Sequence, residues 1–177
     1  MGAAALRRVV SIWLAVAGVG GCSPALDWRE FTPEGSGVVV TFPCRTDRHA
    51  RPVAFAGETL HMEMLVCSAA DATYAVSFFD VADPARLSAV VAEWRETAVR
   101  NVQGTDARRS AWVVKGMTPN DQAGRLVVAG RLPDGSPVQE HAAFFVHGLR
   151  VYSATVLGAK PSPEAVETFF RGLKFPV

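Results

Sequence analysis

The stretch Val138-Gln139-Glu140-His141-Ala142-Ala143-Phe144-Phe145-Val146, followed by His147-Gly148 and by residues 149–157, decides the fold of this chain. It contains two long runs, rich in β-branched and aromatic residues, that only two residues separate. Such runs form strands, and a two-residue connection with glycine joins antiparallel neighbours because glycine readily adopts positive φ. The stretch therefore predicts a β-hairpin, and we interpret His147 as a turn residue and not as a ligand.

Further strands are predicted on both sides of this hairpin. Residues 59–67 alternate between apolar and polar side chains, as a half-buried strand does, and residues 72–80 follow after a turn at Asp71. The other predicted strands are residues 28–31, 38–42, 108–114, 125–131 and 173–175. Residues 45–57 are polar, and we interpret them, with Arg45, Arg48 and Arg51, as a solvated loop; a patch for phosphate or lipid headgroups is the alternative.

Two helices interrupt the strands. Asp83 is a predicted N-cap with Pro84 at the first helical position, and an apolar stripe at helical spacing follows. The stripe consists of Leu87, Val90, Val91, Trp94 and Ala98. We interpret Trp94 as a core residue packed against the sheet, with ligand stacking as the alternative.

The second helix begins after Ser162, its predicted N-cap, with Pro163 at the first position, and it ends at Gly172. Runs of antiparallel strands with two segregated helices are typical of α+β folds. The sequence thus predicts an antiparallel β-sheet flanked by two helices.

The composition limits the class of protein. The chain has 177 residues, of which 49% are hydrophobic and 20% are charged, and its formal net charge is +1. After a short leader this length leaves one domain, large enough to bury a core. Its hydrophobicity argues against long disorder, and its near-neutral charge argues against a nucleic-acid binder.

The first residues are typical of an export signal. Arg7 and Arg8 precede the apolar residues 9–17, a run shorter than the roughly 20 residues that a membrane-spanning helix needs. Val19-Gly20-Gly21-Cys22 resembles the lipobox of bacterial lipoproteins, which implies that residues 1–21 are removed as a signal peptide and that Cys22 carries acyl chains. The alternative is cleavage by ordinary signal peptidase after Ala17, which would leave a soluble periplasmic protein.

The cysteine count agrees with lipidation. If Cys22 is acylated, Cys44 and Cys67 remain as an even pair in an oxidising compartment, and we predict a disulfide between them. Residues 22–27 then form a short lipidated tether, and residues 28–177 form a single domain in the cell envelope. Ser23 resembles the residue that permits transfer to the outer membrane, so this membrane is favoured over the inner one.

Two phrases resemble the Mog1/PsbP-like fold. The first is residues 31–43, where Phe31-Thr32-Pro33-Glu34-Gly35 leads into a β-branched strand, and the second is residues 169–175. The resemblance implies a central antiparallel sheet flanked by helices, in a group whose known members are non-catalytic binding or assembly proteins. It transfers no contact residue to this chain, and a shared fold does not imply a shared function.

The sequence contains few residues arranged as catalytic or metal-binding groups usually are. The four histidines are scattered, at His49, His61, His141 and His147. His61 and Glu63 share one face of their strand, which we interpret as solvated, whereas His141 shares a face with Gln139 and Ala143 and is a candidate to line a wet groove. Metal sites usually show closer spacing of their ligands, and no hydrolase, phosphate-loop or metalloprotease motif is present. We therefore predict no catalytic residue, no metal and no cofactor.

These observations predict a membrane-anchored envelope lipoprotein that acts as a non-catalytic binding or assembly module. Its expected partners are the membrane, through the N-terminal lipid, and an unidentified envelope protein, with no nucleic acid. One alternative is a carrier of a small ligand or lipid, with an apolar groove between the long helix and the sheet. The other alternative is an enzyme with an unrecognised site, for which His141 is the candidate position.

Overall fold

The computed structural model describes residues 25–176. Its elements in chain order are β1 (Arg29–Phe31), β2 (Val40–Phe42), β3 (Asp47–Phe55), β4 (Glu58–Ala69), β5 (Ala72–Asp80), a single 3-10 turn (Pro84–Arg86), α1 (Leu87–Asn101), β6 (Asp106–Ser110), β7 (Gly124–Arg131), β8 (Pro137–His147), β9 (Arg150–Gly158) and α2 (Pro163–Arg171). Strands β3 to β9 form one antiparallel sheet in the order β3-β4-β5-β9-β8-β7-β6, and β1 pairs with β2. The predicted α+β class, a mainly antiparallel sheet with two helices, is confirmed.

The predicted hairpin of β8 and β9 lies at the centre of the sheet. Val146 pairs with Val151 and His147 with Arg150, and Gly148 takes a φ of +60° in the turn between them. β5 and β7 pair with the outer edges of this hairpin. Because both faces of the central strands are covered, apolar residues occupy both sides of them, which explains the nearly continuous apolar runs.

α1 packs on one face of the sheet. Its buried residues are Val90, Val91, Trp94 and Ala98, four members of the predicted stripe. The Trp94 ring lies 4.7 Å from the Phe79 ring and 5.8 Å from the Phe144 ring, between centroids, so the side chain packs in the core as expected. The Asp83 carboxylate accepts a hydrogen bond from the Ala85 amide, and it caps the 3-10 turn that precedes the helix.

α2 and the small β1–β2 sheet cover the opposite face, which we call the α2 face. The rings of Phe42 and Tyr74 pack against Phe169 of α2 at 5.3 and 5.4 Å between centroids. Ser162 caps α2, its hydroxyl accepting a hydrogen bond from the Ala165 amide. Gly172 ends the helix where a Cβ would lie 2.3 Å from the Thr41 side chain, so the close approach of α2 to β2 requires glycine.

The chain enters the fold on the α2 face. Leu26 and Trp28 pack against the core there, with the Trp28 ring edge-on to Tyr74 at 6.1 Å. The Asp27 amide donates a hydrogen bond to the Pro43 carbonyl. The folded part thus includes residues that the sequence analysis assigned to the tether.

The predicted loop at residues 45–57 is wrong, because most of it forms the edge strand β3. β3 pairs with β4 alone, and its first six residues are exposed. A strand with little buried surface has no apolar alternation, which is the pattern used to recognise strands. Arg48 is not a free basic group either, since its guanidinium forms an ion pair with Glu63 and donates to the Glu34 carbonyl.

Two strand boundaries also differ from the predictions. The strand predicted at 108–114 is β6, which begins at Asp106 and ends at Ser110. The strand predicted at 173–175 is reduced to isolated bridges of Lys174 with Val39 and with Lys115. Leu173 and Phe175 are nevertheless buried, and Phe175 packs against Phe145 and Tyr152, so this segment belongs to the core without forming a strand.

Candidate functional site

The strongest candidate site is a cleft between the C-terminal half of α1 and the sheet, which we call the α1–sheet cleft. It encloses about 240 Å³. α1 and the residue that follows it contribute Trp94, Ala98, Asn101 and Val102. Leu132 comes from the turn after β7, and strands β3, β4, β5, β8 and β9 contribute the other residues. The lining residues are Arg51, Met62, Met64, Ser77, Trp94, Ala98, Asn101, Val102, Leu132, Glu140, Ser153, Thr155 and Leu157.

Polar side chains form much of the floor of this cleft. The strand register places Met64, Ser77 and Ser153 next to one another in a row that crosses β4, β5 and β9. Thr155 stands on the same face of β9, two residues along, with its hydroxyl 3.4 Å from that of Ser153. Ser77 and Ser153 are nevertheless 7% and 5% exposed, so these hydroxyls lie inside the fold and face the cleft.

Glu140 is the residue that distinguishes the site. It stands on the face of β8 that Val138, Ala142 and Phe144 also occupy, and it pairs across the strands with Leu157 and Val128. Only 6% of the residue is exposed. Within residues 25–176, no hydrogen bond or ion pair reaches its carboxyl group, whose oxygens still reach solvent in the cleft. Burial raises the pKa of Glu140 to about 7.

Arg51 is the other charged residue that lines the cleft. It stands on the exposed edge strand β3 opposite Met62, and no ion pair to it is present in the described part of the chain. Arg51, Met62 and Met64 also line a second, more open depression of about 460 Å³ over β3 and β4, together with His49, Ala50 and Val66. The cleft therefore continues onto an apolar strip at the edge of the sheet, with a basic group at the junction.

The arrangement can do two things chemically. The apolar side chains and the hydroxyls can hold a small body that has both apolar and hydrogen-bonding parts. The Glu140 carboxyl can accept or donate a proton near neutral pH, and as a carboxylate it can bind a cation or several hydrogen-bond donors.

His141, the predicted groove residue, lies on the opposite face of the sheet. Its Nε2 is 2.9 Å from Oε1 of Gln139, which confirms that these two side chains share a face. The ion pair of Arg125 with Glu167, at 2.7 Å, stands near it on the α2 face. Burial, and then the positive charge of Arg125, lower the pKa of His141. His141 and the α1–sheet cleft are therefore on different sides of the molecule.

The other histidines are not brought together either. His147, predicted as a turn residue, is instead the last residue of β8, and the turn consists of Gly148 and Leu149. Its ring stacks on the Phe175 ring at 4.1 Å, and its Nδ1 lies 2.9 Å from the Gly116 carbonyl oxygen, so its contacts are structural. His61 is exposed, and its neighbour Glu63 is engaged by Arg48. Across residues 25–176, no group of three or more His, Cys, Asp or Glu residues is placed to hold a metal ion.

Cys44 and Cys67, the pair that the sequence predicts to be bonded, lie together. Their sulfur atoms are 2.06 Å apart, and the bond links the segment after β2 to β4 of the main sheet. Cys22 and the predicted signal peptide lie outside the described residues. In the part of the chain that is described, no helix is both long and apolar enough to cross a membrane.

Glu140 is the functional candidate that the sequence analysis missed. The signal was present, since a single acidic residue interrupts an otherwise apolar alternation of Val138, Ala142, Phe144 and Val146. The sequence analysis selected His141, one residue later, and this residue lies on the opposite face of the sheet.

The fold is an α+β domain with a small, partly polar cleft between α1 and the sheet. No protein-family model matches the chain, and no curated protein matches it.

Proposed function

We propose that this chain is a membrane-anchored envelope lipoprotein whose domain is a non-catalytic binding module, with the α1–sheet cleft as its binding site. The observation that carries the proposal is Glu140, a residue that is 6% exposed and lines the cleft, and whose carboxyl group has no hydrogen-bond or ion-pair partner within residues 25–176. Buried charged groups in proteins are normally paired or hydrogen-bonded. A ligand that supplies the missing partner would explain why the carboxyl stands there.

The size of the cleft favours the small-ligand form of this proposal over the assembly form. A space of about 240 Å³ between a helix and a sheet suits a molecule of modest size and is too small for a folded partner. The position agrees with the groove expected between the long helix and the sheet.

An envelope protein partner is the second candidate function, and one feature favours it. β6 is an open edge of the sheet, and all five of its residues are exposed. An edge strand of this kind can accept an extended segment of another chain by β-augmentation. This surface is separate from the cleft, so the two functions do not exclude each other.

The location of the cleft bears on the source of its ligand. The chain enters on the α2 face, and full extension from Cys22 to Leu26 spans only about 14 Å. A lipid on Cys22 would hold the α2 face near the membrane, whereas the cleft opens on the α1 side of the sheet. This placement favours a ligand taken from the aqueous compartment of the envelope, with the outer membrane as the site of attachment.

The Mog1/PsbP-like assignment also belongs to the proposal. It is supported by the order of the elements: a strand pair, then strands before and after one helix, and a final helix followed by a short pairing segment. The sheet with one helix on each face agrees with what that resemblance implies.

Native mass spectrometry of the protein isolated from its own cells tests the binding function. We expect a retained small molecule in the wild-type protein. Asn101→Trp places a large ring at the exposed rim of the cleft and should abolish retention, because the ring occupies the space of the ligand. Glu96→Trp is the matched control, on the same helix and equally exposed but away from the cleft, and it should retain the molecule.

Wild-type protein that carries no small molecule under any growth condition would contradict the proposal. Equal retention by the Asn101→Trp and Glu96→Trp variants would move the binding site away from the α1–sheet cleft.

A further inference from the structure

Glu140 is the single acidic residue that lines the α1–sheet cleft. The side chains that line the cleft with it from β5 and β9 are neutral, as are those that α1 contributes. The other charge is Arg51, which stands on the exposed strand β3. The cleft therefore combines a buried acid with a basic group at its outer side, and within the described residues neither charge has an ion-pair partner; of the two, Glu140 is the buried one.

The remaining lining limits the kind of molecule that could supply this partner. Met62, Met64 and Leu132 give the cleft apolar walls, and Trp94 closes it on the helix side. The volume of about 240 Å³ corresponds to roughly eight water molecules. A ligand with a short apolar body and one strongly polar end fits this description.

We propose, on the basis of the binding function above, that the α1–sheet cleft takes a small organic amine. The ligand is bound as its ammonium ion, which pairs with the Glu140 carboxylate while its apolar body lies between Met62, Met64 and Trp94. An ammonium ion supplies both the positive charge and the hydrogen-bond donors that a buried carboxylate needs.

The proposal makes the binding depend on pH in a definite direction. Ammonium pairing needs ionised Glu140, and this group takes up a proton below about pH 7. Affinity for an amine that stays protonated should rise roughly 90-fold from pH 5 to pH 8, with release of a proton on binding. Arg51, and His49 in the neighbouring depression on the same face, are present equally in every variant below, so a difference between variants isolates Glu140.

Calorimetric titration with hexylamine and hexanol tests the assignment, since the two probes share an alkyl chain and differ in the charged group. The protein is used as it is processed in the cell, after removal of any retained molecule. We expect hexylamine to bind at least tenfold more tightly than hexanol at pH 8. Glu140→Gln should abolish that preference and the pH dependence. Glu164→Gln, which removes the same charge from exposed α2, should retain both.

The outcomes separate this inference from the proposed function. If hexanol binds as tightly as hexylamine, or if Glu140→Gln keeps the preference for the amine, the amine assignment is wrong while the cleft remains a binding site. If neither probe binds but native mass spectrometry finds a retained molecule, the amine assignment again fails alone. If neither probe binds and no molecule is retained, the proposed function fails as well.

A lysine side chain of a partner protein could present the same chemistry. N-acetyl-lysine methylamide, a lysine within a peptide-like frame, is therefore titrated beside hexylamine. Binding of this probe more than tenfold tighter than hexylamine would overturn the small-molecule assignment. Weaker binding supports it, because the cleft then has no room for the peptide groups.

Discussion

At Glu140, the alternation of the strand buries a side chain whose charged form is more stable in water. Alternation along β8 puts every second residue on the α1 face, and Val138, Ala142, Phe144 and Val146 are buried there. Glu140 follows the same alternation, and it cannot move to the other face unless the whole strand shifts its register. The apolar neighbours thus hold a carboxyl in an environment that disfavours its charge.

The pH dependence of stability should reveal this conflict. The folded-state pKa of Glu140, about 7, lies above its ordinary value of 4.5. Below pH 4.5, Glu140 is protonated in both the folded and the unfolded protein, so its burial does not reduce the free energy of unfolding. As the pH rises from 4.5 to 7, only the unfolded protein releases this proton, and the free energy of unfolding therefore decreases. The loss is about 3 kcal/mol. Urea unfolding of the wild-type protein and of Glu140→Gln, at pH values from 4.5 to 8, should give curves that diverge over this range.

The difference between the two proteins isolates Glu140 from other titrations. The lowered pKa of His141 acts in the opposite direction, because the folded state keeps the imidazole neutral and loses stability as the pH falls through the ordinary value of 6.5. This contribution is common to both proteins and cancels in the difference. Parallel curves would show that folding does not raise the pKa of Glu140.

At the scale of elements, the sequence predicts best where a strand is buried on both faces or a helix has a cap. The runs of β5, β8 and β9, and the caps at Asp83 and Ser162, contain their own signal, and each element is present. β3 contains no such signal, because it is stabilised by pairing with β4 and by the Arg48–Glu63 contact, both of which join residues distant in sequence. Local patterns do not contain that information.

The disulfide is the covalent link between the two sheets, and its removal tests how much the link contributes. Cys44 and Cys67 are 23 residues apart, and closing a loop of this length stabilises the fold by about 3 kcal/mol in the chain-entropy model. Cys44→Ala/Cys67→Ala should lower the free energy of unfolding by about that amount in thermal or urea unfolding.

A reducing agent provides the control for this prediction. It should lower the stability of the wild-type protein by a similar amount and leave that of the double variant unchanged. If the reducing agent has no effect on the wild-type protein, the bond does not form in the mature chain.

At the scale of the whole molecule, the two faces of the sheet are covered to different extents. The α2 face receives the incoming chain through Leu26 and Trp28, and its interior is aromatic and densely packed. The α1 face is only partly covered, because α1 extends across part of the sheet and leaves the cleft beside its C-terminal half. The sequence shows two helices but not which face each one covers, since that depends on the order of the strands. For the same reason, the sequence predicts a groove between the long helix and the sheet but does not identify the residues that line it.

The proposed function places attachment and binding on different faces, so the proposed attachment can be tested by itself. In cells given labelled palmitate, the wild-type protein should incorporate the label, because the lipobox resemblance makes Cys22 the acylated residue. Cys22→Ala should lose the label, whereas Cys44→Ala, which removes a cysteine of the folded domain, should keep it. Mass spectrometry of the mature wild-type protein should find an N-terminal peptide that begins at Cys22 and carries the lipid. An unlabelled protein that begins at Gly18 would instead show cleavage after Ala17 and a soluble periplasmic domain. The proposed binding of amines by the cleft does not depend on this outcome, because Cys22 takes no part in it.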